Sequence, residues 1–421
     1  MIQEFSVQNF LSFREKQTIS FVATSDKTRK EELTFETKPR GTRLLRLAMI
    51  YGANASGKSN LLQAIQTLWF MMFTPCDKEH QNVQIYQPFE LEKGAPTCFE
   101  ITFWANKRRF QYKLIYNKYS ILHEKMMYGS NSDVLSLMYE RKKGEPIQFG
   151  TTIGIKAEQR KDLIRDTFDN HTLLSTLNKK NVDVPEIMRN LYDWIKNNVH
   201  ELDIYNNAMK IAEQAEENPV IKNMILELLN KADFNIVDFN TIDILPSENV
   251  IEAITHNDEL TESAKEKLLR PIKQVIFTHN TAKEKFQLNF KLESLGTRMY
   301  FRLARLLFDL KNKECVLMED ELENSLHYDL LLHYLQTYLQ ASCCSQLIFT
   351  THNQLLLNED WLIRRDMVWL VEKNHKSSSS TLYRASDMGI HKNVSLMNAY
   401  KIGKLGAKPF LGSTYLNSEN L

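Results

Sequence analysis

Residues 44–62, LLRLAMIYGANASGKSNLL, constrain the fold of this chain more than any other stretch. The apolar run Leu44–Ile50 predicts a buried strand, and the pattern from Ser59 to about Phe73 predicts a helix. Between them, Gly52–Ser59 matches the pattern G-x-x-x-x-G-K-[ST] in a strand–loop–helix context. The glycines let backbone N–H groups surround a phosphate chain, and the start of the helix adds partial positive charge. The stretch therefore predicts an α/β protein that binds a nucleotide.

Two side chains of this loop suit the phosphates and their counter-ion. Lys58 can reach the β- and γ-phosphates, and the Ser59 hydroxyl can bind Mg²⁺. The loop thus predicts a nucleoside triphosphate and Mg²⁺ as ligands. The candidate nucleotide-binding residues of the loop are Gly52, Asn54, Ala55, Ser56, Gly57, Lys58, Ser59 and Asn60.

The composition fits an ordinary globular protein with almost no net charge. The 421 residues include 53 Lys and Arg and 52 Asp and Glu, so the net charge is +1 and nucleic acid is neither implied nor excluded as a partner. No apolar run approaches the roughly 20 residues of a membrane span, and the N-terminus lacks the apolar core of a secretion signal. The five cysteines show no metal-ligand spacing. We therefore expect a cytoplasmic protein with reduced thiols and no membrane partner.

Hydrophobic periodicity divides the chain into three predicted parts. Residues 1–155 form an N-terminal lobe, in which alternation over 83–128 predicts antiparallel strands, the first of them VQIYQPFEL. Residues 156–232 carry apolar residues at three- and four-residue steps, which predicts a helical insertion. Residues 233–421 form a C-terminal lobe of strands and helices, in which the serine tract 377–380 predicts a loop.

An acidic strand end supplies candidates for catalysis. The apolar strand 316–318 runs into Glu319, Asp320 and Glu321. A strand-end Asp, here Asp320, can hold Mg²⁺, and a neighbouring Glu, here Glu321, can activate a water as general base. His352 ends a later strand, SQLIFTTH, at the sheet edge where ligands of α/β proteins bind, and can contact the γ-phosphate.

Three further features carry predictions of their own. Ser294 and Gly296 begin a helix predicted over 292–310, and its N-terminus is suited to an anion. Gln87, near a predicted strand end, is either a sensor that touches Mg²⁺ or the attacking water, or a polar turn residue before a proline. The basic runs 107–109 and 141–143 either contact DNA phosphates or lie at solvated hairpin tips.

The order of these motifs resembles the ABC-type ATPase head shared by SMC-like, OLD-type and ABC proteins. Gly52–Ser59 is similar to the Walker A loop, Ser294 and Gly296 to the signature motif, Asp320 with Glu321 to Walker B, and His352 to the switch histidine. A wider resemblance, to RloA/AbiL-type ATPases of bacterial antiphage defence, rests on segments spread over nearly the whole chain. These segments are FSVQNFLSF, GANASGKSNLLQAI, ESLGTRMYFRL, DELENSLH, FTTHN and AYKIGKLGAKPFLG.

The resemblance implies a mixed-sheet head with an antiparallel β subdomain and a head-to-tail homodimer that encloses ATP. Ser294 and Gly296 of one subunit would then complete the site that holds Lys58 of the other. The residue before the Walker B Asp is usually apolar, and here it is Glu319. A shifted register, with Glu319 and Asp320 as the functional pair, therefore stays open beside the preferred pair of Asp320 and Glu321.

Four functions are compatible with these patterns. The resemblance implies an ATPase subunit of an abortive-infection system, whose ATP-dependent dimer, or a higher homo-oligomer, controls a Toprim-type nuclease or another effector encoded nearby. A self-sufficient OLD-type nuclease is disfavoured because only 69 residues follow His352. An SMC-like DNA-repair ATPase would bind DNA through the basic runs. An importer ATPase is disfavoured by the large insertion and the tail.

Overall fold

The computed structural model describes residues 1–37, 42–129, 134–178, 183–198, 207–257, 260–340, 344–391 and 394–409. The strands in these residues are β1 Ile2–Gln8, β2 Gln17–Ser20, β3 Thr34–Glu36, β4 Arg43–Leu45, β5 Leu47–Tyr51, β6 Thr97–Ala105, β7 Arg108–Tyr116, β8 Ile121–Gly129, β9 Ser136–Lys142, β10 Gln148–Phe149, β11 Ile236–Ile244, β12 Ile272–Asn280, β13 Lys285–Asn289, β14 Val316–Glu319, β15 Gln346–Thr350, β16 Val368–Lys373 and β17 Ser380–Arg384. The α-helices are α1 Lys30–Leu33, α2 Lys58–Phe73, α3 Ala157–Asp166, α4 Leu173–Thr176, α5 Glu186–Asn198, α6 Ala208–Glu217, α7 Pro219–Lys231, α8 Glu248–Thr255, α9 Glu262–Leu268, α10 Leu295–Asn312, α11 Tyr328–Leu339 and α12 Leu396–Lys401.

The chain forms two compact units. Unit 1 comprises Met1–Val199, Lys313–Leu322 and Ser342–Leu421, and unit 2 comprises His200–Asn312 and Glu323–Ala341. The boundaries predicted at 155 and 232 do not coincide with these units. Helices α3 to α5 lie in unit 1 because their apolar residues join its core, whereas α6 and α7 pack with α10 and β11 in unit 2. The predicted helical insertion is helical, but it is divided between the two units.

A five-stranded sheet in unit 1 carries the phosphate-loop strand at its centre. The strand order is β14-β15-β5-β16-β17, parallel except for the last pair. All five residues of β5 are buried, as expected for a parallel strand covered on both faces. The carboxyl ends of β5, β14 and β15 therefore meet at one edge of the sheet.

The predicted strand Leu44–Ile50 is interrupted in the structure. β4 ends at Leu45 and β5 begins at Leu47. The N–H of Arg46 between them donates to the Leu33 carbonyl (3.0 Å), and its carbonyl accepts from the N–H of Leu347 in β15 (2.9 Å). β4 pairs with β3 and β5 pairs with β15. The break lets one apolar run serve two different sheets.

An antiparallel sheet of seven strands makes up the second layer of unit 1. Its order is β10-β9-β8-β7-β6-β1-β2, and side chains from one of its faces join the core that also buries α2. Trp69 of α2 packs edge-on against Phe103 of β6, with ring centroids 5.3 Å apart, and against Trp194 of α5. The sheet thus fixes the helix that follows the phosphate loop.

The strand predicted over 83–91 is absent, and this prediction was wrong. The segment is irregular and ends in a short 3-10 turn at Glu90–Glu92, because Pro88 has no N–H for a ladder. Its backbone groups instead bond to the β1–β2 region. The Leu11 N–H donates to the Gln87 carbonyl (2.8 Å), and the Phe89 N–H donates to Asn9 Oδ1 (3.0 Å).

A buried polar network ties segment 168–176 to the antiparallel sheet. The Glu124 carboxylate of β8 is fully buried and accepts hydrogen bonds from Tyr139 Oη (2.8 Å) and the Leu173 N–H (2.9 Å). Burial raises the pKa of Glu124, and the charge of nearby Arg141 opposes that rise. Thr172 in this segment donates to the carbonyl of Met71 in α2, at 2.8 Å. The network therefore braces the far end of the phosphate-loop helix.

Unit 2 is built on the antiparallel sheet β11-β12-β13, with α10 packed on it. Phe301 of α10 contacts Phe239 and Phe277 edge-on, at centroid distances of 5.0 and 5.1 Å. The sequence patterns missed the short helices α8 and α9, which bury no residue. Among the described residues, no helix has both the length and the apolar character needed to cross a membrane.

Candidate nucleotide-binding site

The loop between β5 and α2 leaves no room for side chains at its two glycines. A Cβ on Gly52 would lie 2.4 Å from the carbonyl oxygen of Val371, and one on Gly57 would lie 2.4 Å from Ser380 Oγ. Gly57 also has φ of 110°, in the left-handed region that favours glycine. Ala55 has φ of 59°. The backbone thus curls tightly between the strand and the helix.

Lys58 opens α2 with its side chain folded back over the loop. The side chain is buried, and Nζ donates to the carbonyls of Gly52 (3.0 Å) and Ala53 (3.1 Å). These contacts hold the ammonium group above the loop backbone, where it adds a positive charge to the partial charge of the helix N-terminus. Such an arrangement suits a polyanion.

Ser59 meets the acidic end of β14. Its Oγ lies 2.7 Å from Asp320 Oδ2, and the other carboxylate oxygen of Asp320 accepts a hydrogen bond from Thr350 Oγ1. A hydroxyl and a carboxylate are the oxygen ligands that Mg²⁺ accepts from proteins beside phosphates and water. The residues present therefore fit the predicted ion.

Glu321 stands next to the predicted switch histidine. Its φ of 51° turns the chain after β14, and its N–H donates to Thr350 Oγ1 at 2.7 Å. Its Oε1 lies 3.3 Å from His352 Nε2, and both side chains are partly exposed. Glu319, by contrast, is buried within the end of β14. Of the three consecutive acids, Asp320 is the one bonded to Ser59, and Glu321 is the one beside His352.

Gln87 lies in the irregular segment and not at a strand end. Its Oε1 accepts a hydrogen bond from Gln63 Nε2 at 3.1 Å, and Gln63 lies one helical turn beyond Ser59 on α2. The Gln87 side chain thus reaches α2 one turn away from the hydroxyl that faces Asp320. Its predicted contact with Mg²⁺ stays a prediction.

The predicted signature residues begin α10 in unit 2. Ser294 Oγ accepts a hydrogen bond from the Thr297 N–H at 3.0 Å, so Ser294 is the N-cap of the helix. A Cβ on Gly296 would lie 3.0 Å from the carbonyl oxygen of Ser325. The site residues Lys58, Asp320 and His352 all belong to unit 1.

Two serines that contact the phosphate loop could not be found from the sequence. Ser12 lies in the β1–β2 loop, and Ser380 begins β17. Their hydroxyls bond to Asn60 and to the Ser56 carbonyl, respectively. The serine tract 377–380, predicted as a loop, ends in a buried strand residue. Only the fold brings these positions together.

The two basic runs differ in exposure. Lys107 and Arg108 lie exposed at the β6–β7 turn. Arg141 is buried and donates to the carbonyls of His171 (2.9 Å) and Phe168 (2.8 Å). The run 141–143 is therefore partly structural and does not form a continuous basic surface.

Comparison with known families identifies the family of the chain. A family model described as "AAA domain, putative AbiEii toxin, Type IV TA system" matches residues 47–358, from the phosphate-loop strand to just beyond His352. The chain belongs to this AAA family. The AAA match and the observed strand order together confirm the predicted fold class, an ABC-type P-loop ATPase head with an antiparallel β subdomain.

Solved structures similar to this AAA domain include two SMC heads. One is the SMC head bound to the C-terminal winged-helix domain of ScpA, at 14% identity and a TM-score of 0.45, covering 95% of this chain and 99% of that one. The other is the SMC head domain from Thermotoga maritima, at 15% identity and a TM-score of 0.38, covering 91% of this chain and 98% of that one. No curated protein matches the chain.

Proposed function

We propose that this AAA domain binds ATP with Mg²⁺ and hydrolyses it at the site between β5, β14 and β15. The proposal rests above all on the 2.7 Å contact between Ser59 Oγ and Asp320 Oδ2. Lys58 holds the β- and γ-phosphates, and the N–H groups of residues 52–60 surround the phosphate chain. The match to a P-loop ATPase family supports this assignment.

Ser59 and Asp320 are the residues that would hold Mg²⁺. The bound ion would neutralise charge that develops on the phosphate oxygens. Thr350 keeps Asp320 in orientation because it donates to the second carboxylate oxygen. Gln87 is a further candidate contact, because its side chain bonds to Gln63, one helical turn beyond Ser59 on α2.

Glu321 is proposed as the general base and His352 as a γ-phosphate contact. A carboxylate next to the metal ligand can accept a proton from the attacking water. The Glu321–His352 distance of 3.3 Å supports a shared role for the two side chains. The buried position of Glu319 disfavours the shifted register, in which Glu319 and Asp320 would be the functional pair.

ATP-dependent assembly follows from the same site. In the proposed head-to-tail homodimer, Ser294 and Gly296 of one copy meet the γ-phosphate held by Lys58 of the other copy. The N-cap position of Ser294 supports this role, because a helix N-terminus favours an anion. Higher homo-oligomers built from such dimers are compatible with the same contacts.

The biological role proposed is antiphage defence by abortive infection in the bacterial cytoplasm, with the ATP-dependent dimer controlling an effector. The effector is a Toprim-type nuclease or another protein encoded nearby. Support comes from the motif resemblance to RloA/AbiL-type ATPases and from the family description, which names a putative toxin of a type IV toxin–antitoxin system.

A phage challenge tests this role directly. Cells that express the chain with its flanking genes should resist phage, and resistance should disappear with Lys58→Ala or Asp320→Asn. An effector should co-purify with the wild-type chain. Resistance that survives both substitutions would contradict the role of ATP in defence.

DNA binding is the alternative, and the exposed residues Lys107 and Arg108 at the β6–β7 turn are the observation in its favour. A DNA-repair role predicts an affinity for duplex DNA that falls steeply with salt, and a shallower fall in Lys107→Ala/Arg108→Ala. If the chain shows no salt-dependent binding of duplex DNA, the DNA-repair role is contradicted and the defence role is favoured.

A further inference from the structure

A chain of hydrogen bonds runs behind the phosphate loop. Asn60 Nδ2 donates to Ser12 Oγ at 2.8 Å, and Ser12 Oγ lies 2.7 Å from Ser380 Oγ. Ser380 Oγ in turn lies 2.5 Å from the carbonyl oxygen of Ser56. The Ser380 N–H also donates to the Ser12 carbonyl at 2.7 Å, which fixes the two serines to each other.

The Ser380 hydroxyl faces two acceptors, the Ser56 carbonyl and Ser12 Oγ. Ser380 has one hydroxyl hydrogen, and it goes to the Ser56 carbonyl because that acceptor is the nearer one, at 2.5 Å against 2.7 Å for Ser12 Oγ. Ser12 Oγ accepts from the Asn60 amide, which can only donate through nitrogen, and it is the second acceptor within reach of Ser380 Oγ.

We propose that Ser380 is a positioning residue for phosphate binding, and that it acts by fixing the peptide between Ser56 and Gly57. In a trans peptide the C=O and N–H groups point in opposite directions. Because Ser380 holds the Ser56 carbonyl, the Gly57 N–H is aimed away from Ser380. This inference rests on the proposed function, in which that N–H binds phosphate.

The orientation of the Ser56–Gly57 peptide needs this hydrogen bond because glycine alone does not fix it. Gly57, at φ of 110°, has more accessible backbone conformations than any other residue type would have there. The Ser380 and Ser12 hydroxyls occupy the space where a side chain of residue 57 would lie, since a Cβ on Gly57 would be 2.4 and 2.6 Å from them. The two serines thus restrict a peptide that could otherwise rotate away from the phosphate.

Steady-state ATPase kinetics of Ser380→Ala test whether Ser380 positions this peptide. A binding interaction that is equal in ground and transition states affects KM and leaves kcat unchanged. We expect KM for ATP and the Kd for a non-hydrolysable ATP analogue to rise about tenfold, with kcat within about twofold of wild type. Ser12→Ala, which removes a hydroxyl that contacts Ser380 Oγ and lies beside Gly57, should raise KM by about threefold.

Ser378→Ala is the matched control, because Ser378 is an exposed serine of the same tract. It should leave both constants unchanged. An unaltered KM in Ser380→Ala, or a loss confined to kcat, would overturn the inference. Should Ser380→Ala fail to fold, the KM of Ser12→Ala decides by the same criterion. A wild-type protein that binds no ATP would instead overturn the proposed function, so the two failures are distinguishable.

Discussion

Ser59 and Asp320 are 261 positions apart in the chain, and their side-chain oxygens lie 2.7 Å apart in the fold. Ser59 opens the helix after the central strand β5, and Asp320 follows the edge strand β14. The parallel strand β15 lies between these two strands and contributes Thr350, which bonds to Asp320. Three consecutive strands of one sheet therefore build a hydroxyl–carboxylate pair beside the phosphate loop.

Removal of the loop ammonium should abolish nucleotide binding. In Lys58→Ala the phosphates lose the cation that Gly52 and Ala53 hold above the loop. We expect no ATP binding by calorimetry at concentrations that saturate the wild type. Lys78→Ala, which removes an exposed lysine, is the control and should bind normally. An ATP affinity of Lys58→Ala equal to that of the wild type would contradict the assignment of this loop as a phosphate-binding loop.

The general base can be tested by substitution of two neighbouring acids. Glu321→Gln keeps the side-chain shape and removes the proton acceptor, so kcat should fall about 10²- to 10⁴-fold while ATP stays bound. The ATP-bound variant should accumulate as a dimer on size-exclusion chromatography. Glu319→Gln should retain turnover. The reverse pattern, with the loss in Glu319→Gln, would mean that the functional acids are Glu319 and Asp320.

Dimer closure can be blocked at Ser294 while its helix cap is kept. Aspartate caps helices as well as serine does, so Ser294→Asp should preserve the start of α10. Its charge would repel the γ-phosphate of the second copy. Light scattering should show an ATP-dependent mass increase for wild type and none for Ser294→Asp. The control Ser263→Asp, at an exposed serine in the first turn of α9, should behave as wild type. A dimer of Ser294→Asp with ATP would contradict the proposed role of the signature residues.

A buried ion pair predicts how stability depends on pH. Asp366 is buried and accepts two hydrogen bonds from Arg364, at 3.0 and 2.7 Å. Burial would raise the pKa of Asp366, but the bonds from Arg364 and Thr24 outweigh it and lower the pKa below the ordinary 3.8. A lowered folded-state pKa contributes stability that is present above the ordinary value and lost as the pH falls below it.

Urea unfolding of Asp366→Asn checks this sign. At pH 7 the substitution leaves Arg364 buried without its partner and should cost about 3–5 kcal/mol. The difference from wild type should stay constant down to about pH 5 and shrink below pH 3.8. Glu227→Gln, at an exposed i,i+4 pair, should cost less than about 1 kcal/mol. A difference that grows in acid would contradict the lowered pKa.

The sequence predicted those parts whose chemistry is local. The phosphate loop has a fixed spacing, the helix after it has a long apolar face, and the strand before Asp320 is an apolar run that ends in acid. Their meeting at one sheet edge also follows from the parallel order of strands. The pairing of Ser59 with Asp320 could therefore be expected from the motifs and their order along the chain.

Other features depended on contacts that no pattern shows. The segment 83–91 alternates like a strand, but Pro88 and the side chain of Asn9 hold it in an irregular path. Ser12 and Ser380 lie 368 positions apart, and their hydroxyls come into contact only because β2 and β17 approach each other in the fold. Helices α8 and α9 were missed because they have only 8 and 7 residues, too few for a helical repeat of apolar residues to be recognised.

We propose above all that Ser59 and Asp320 hold one Mg²⁺ beside ATP. A double-mutant cycle of ATP affinity, measured by calorimetry with Ser59→Ala, Asp320→Asn and the double variant, tests it most directly. We predict that each single variant weakens binding in Mg²⁺, and that the double variant loses little more than the worse single. The resulting coupling should be about 1 kcal/mol or more and should vanish in EDTA. Effects that simply add, or that persist unchanged in EDTA, would contradict a shared metal site.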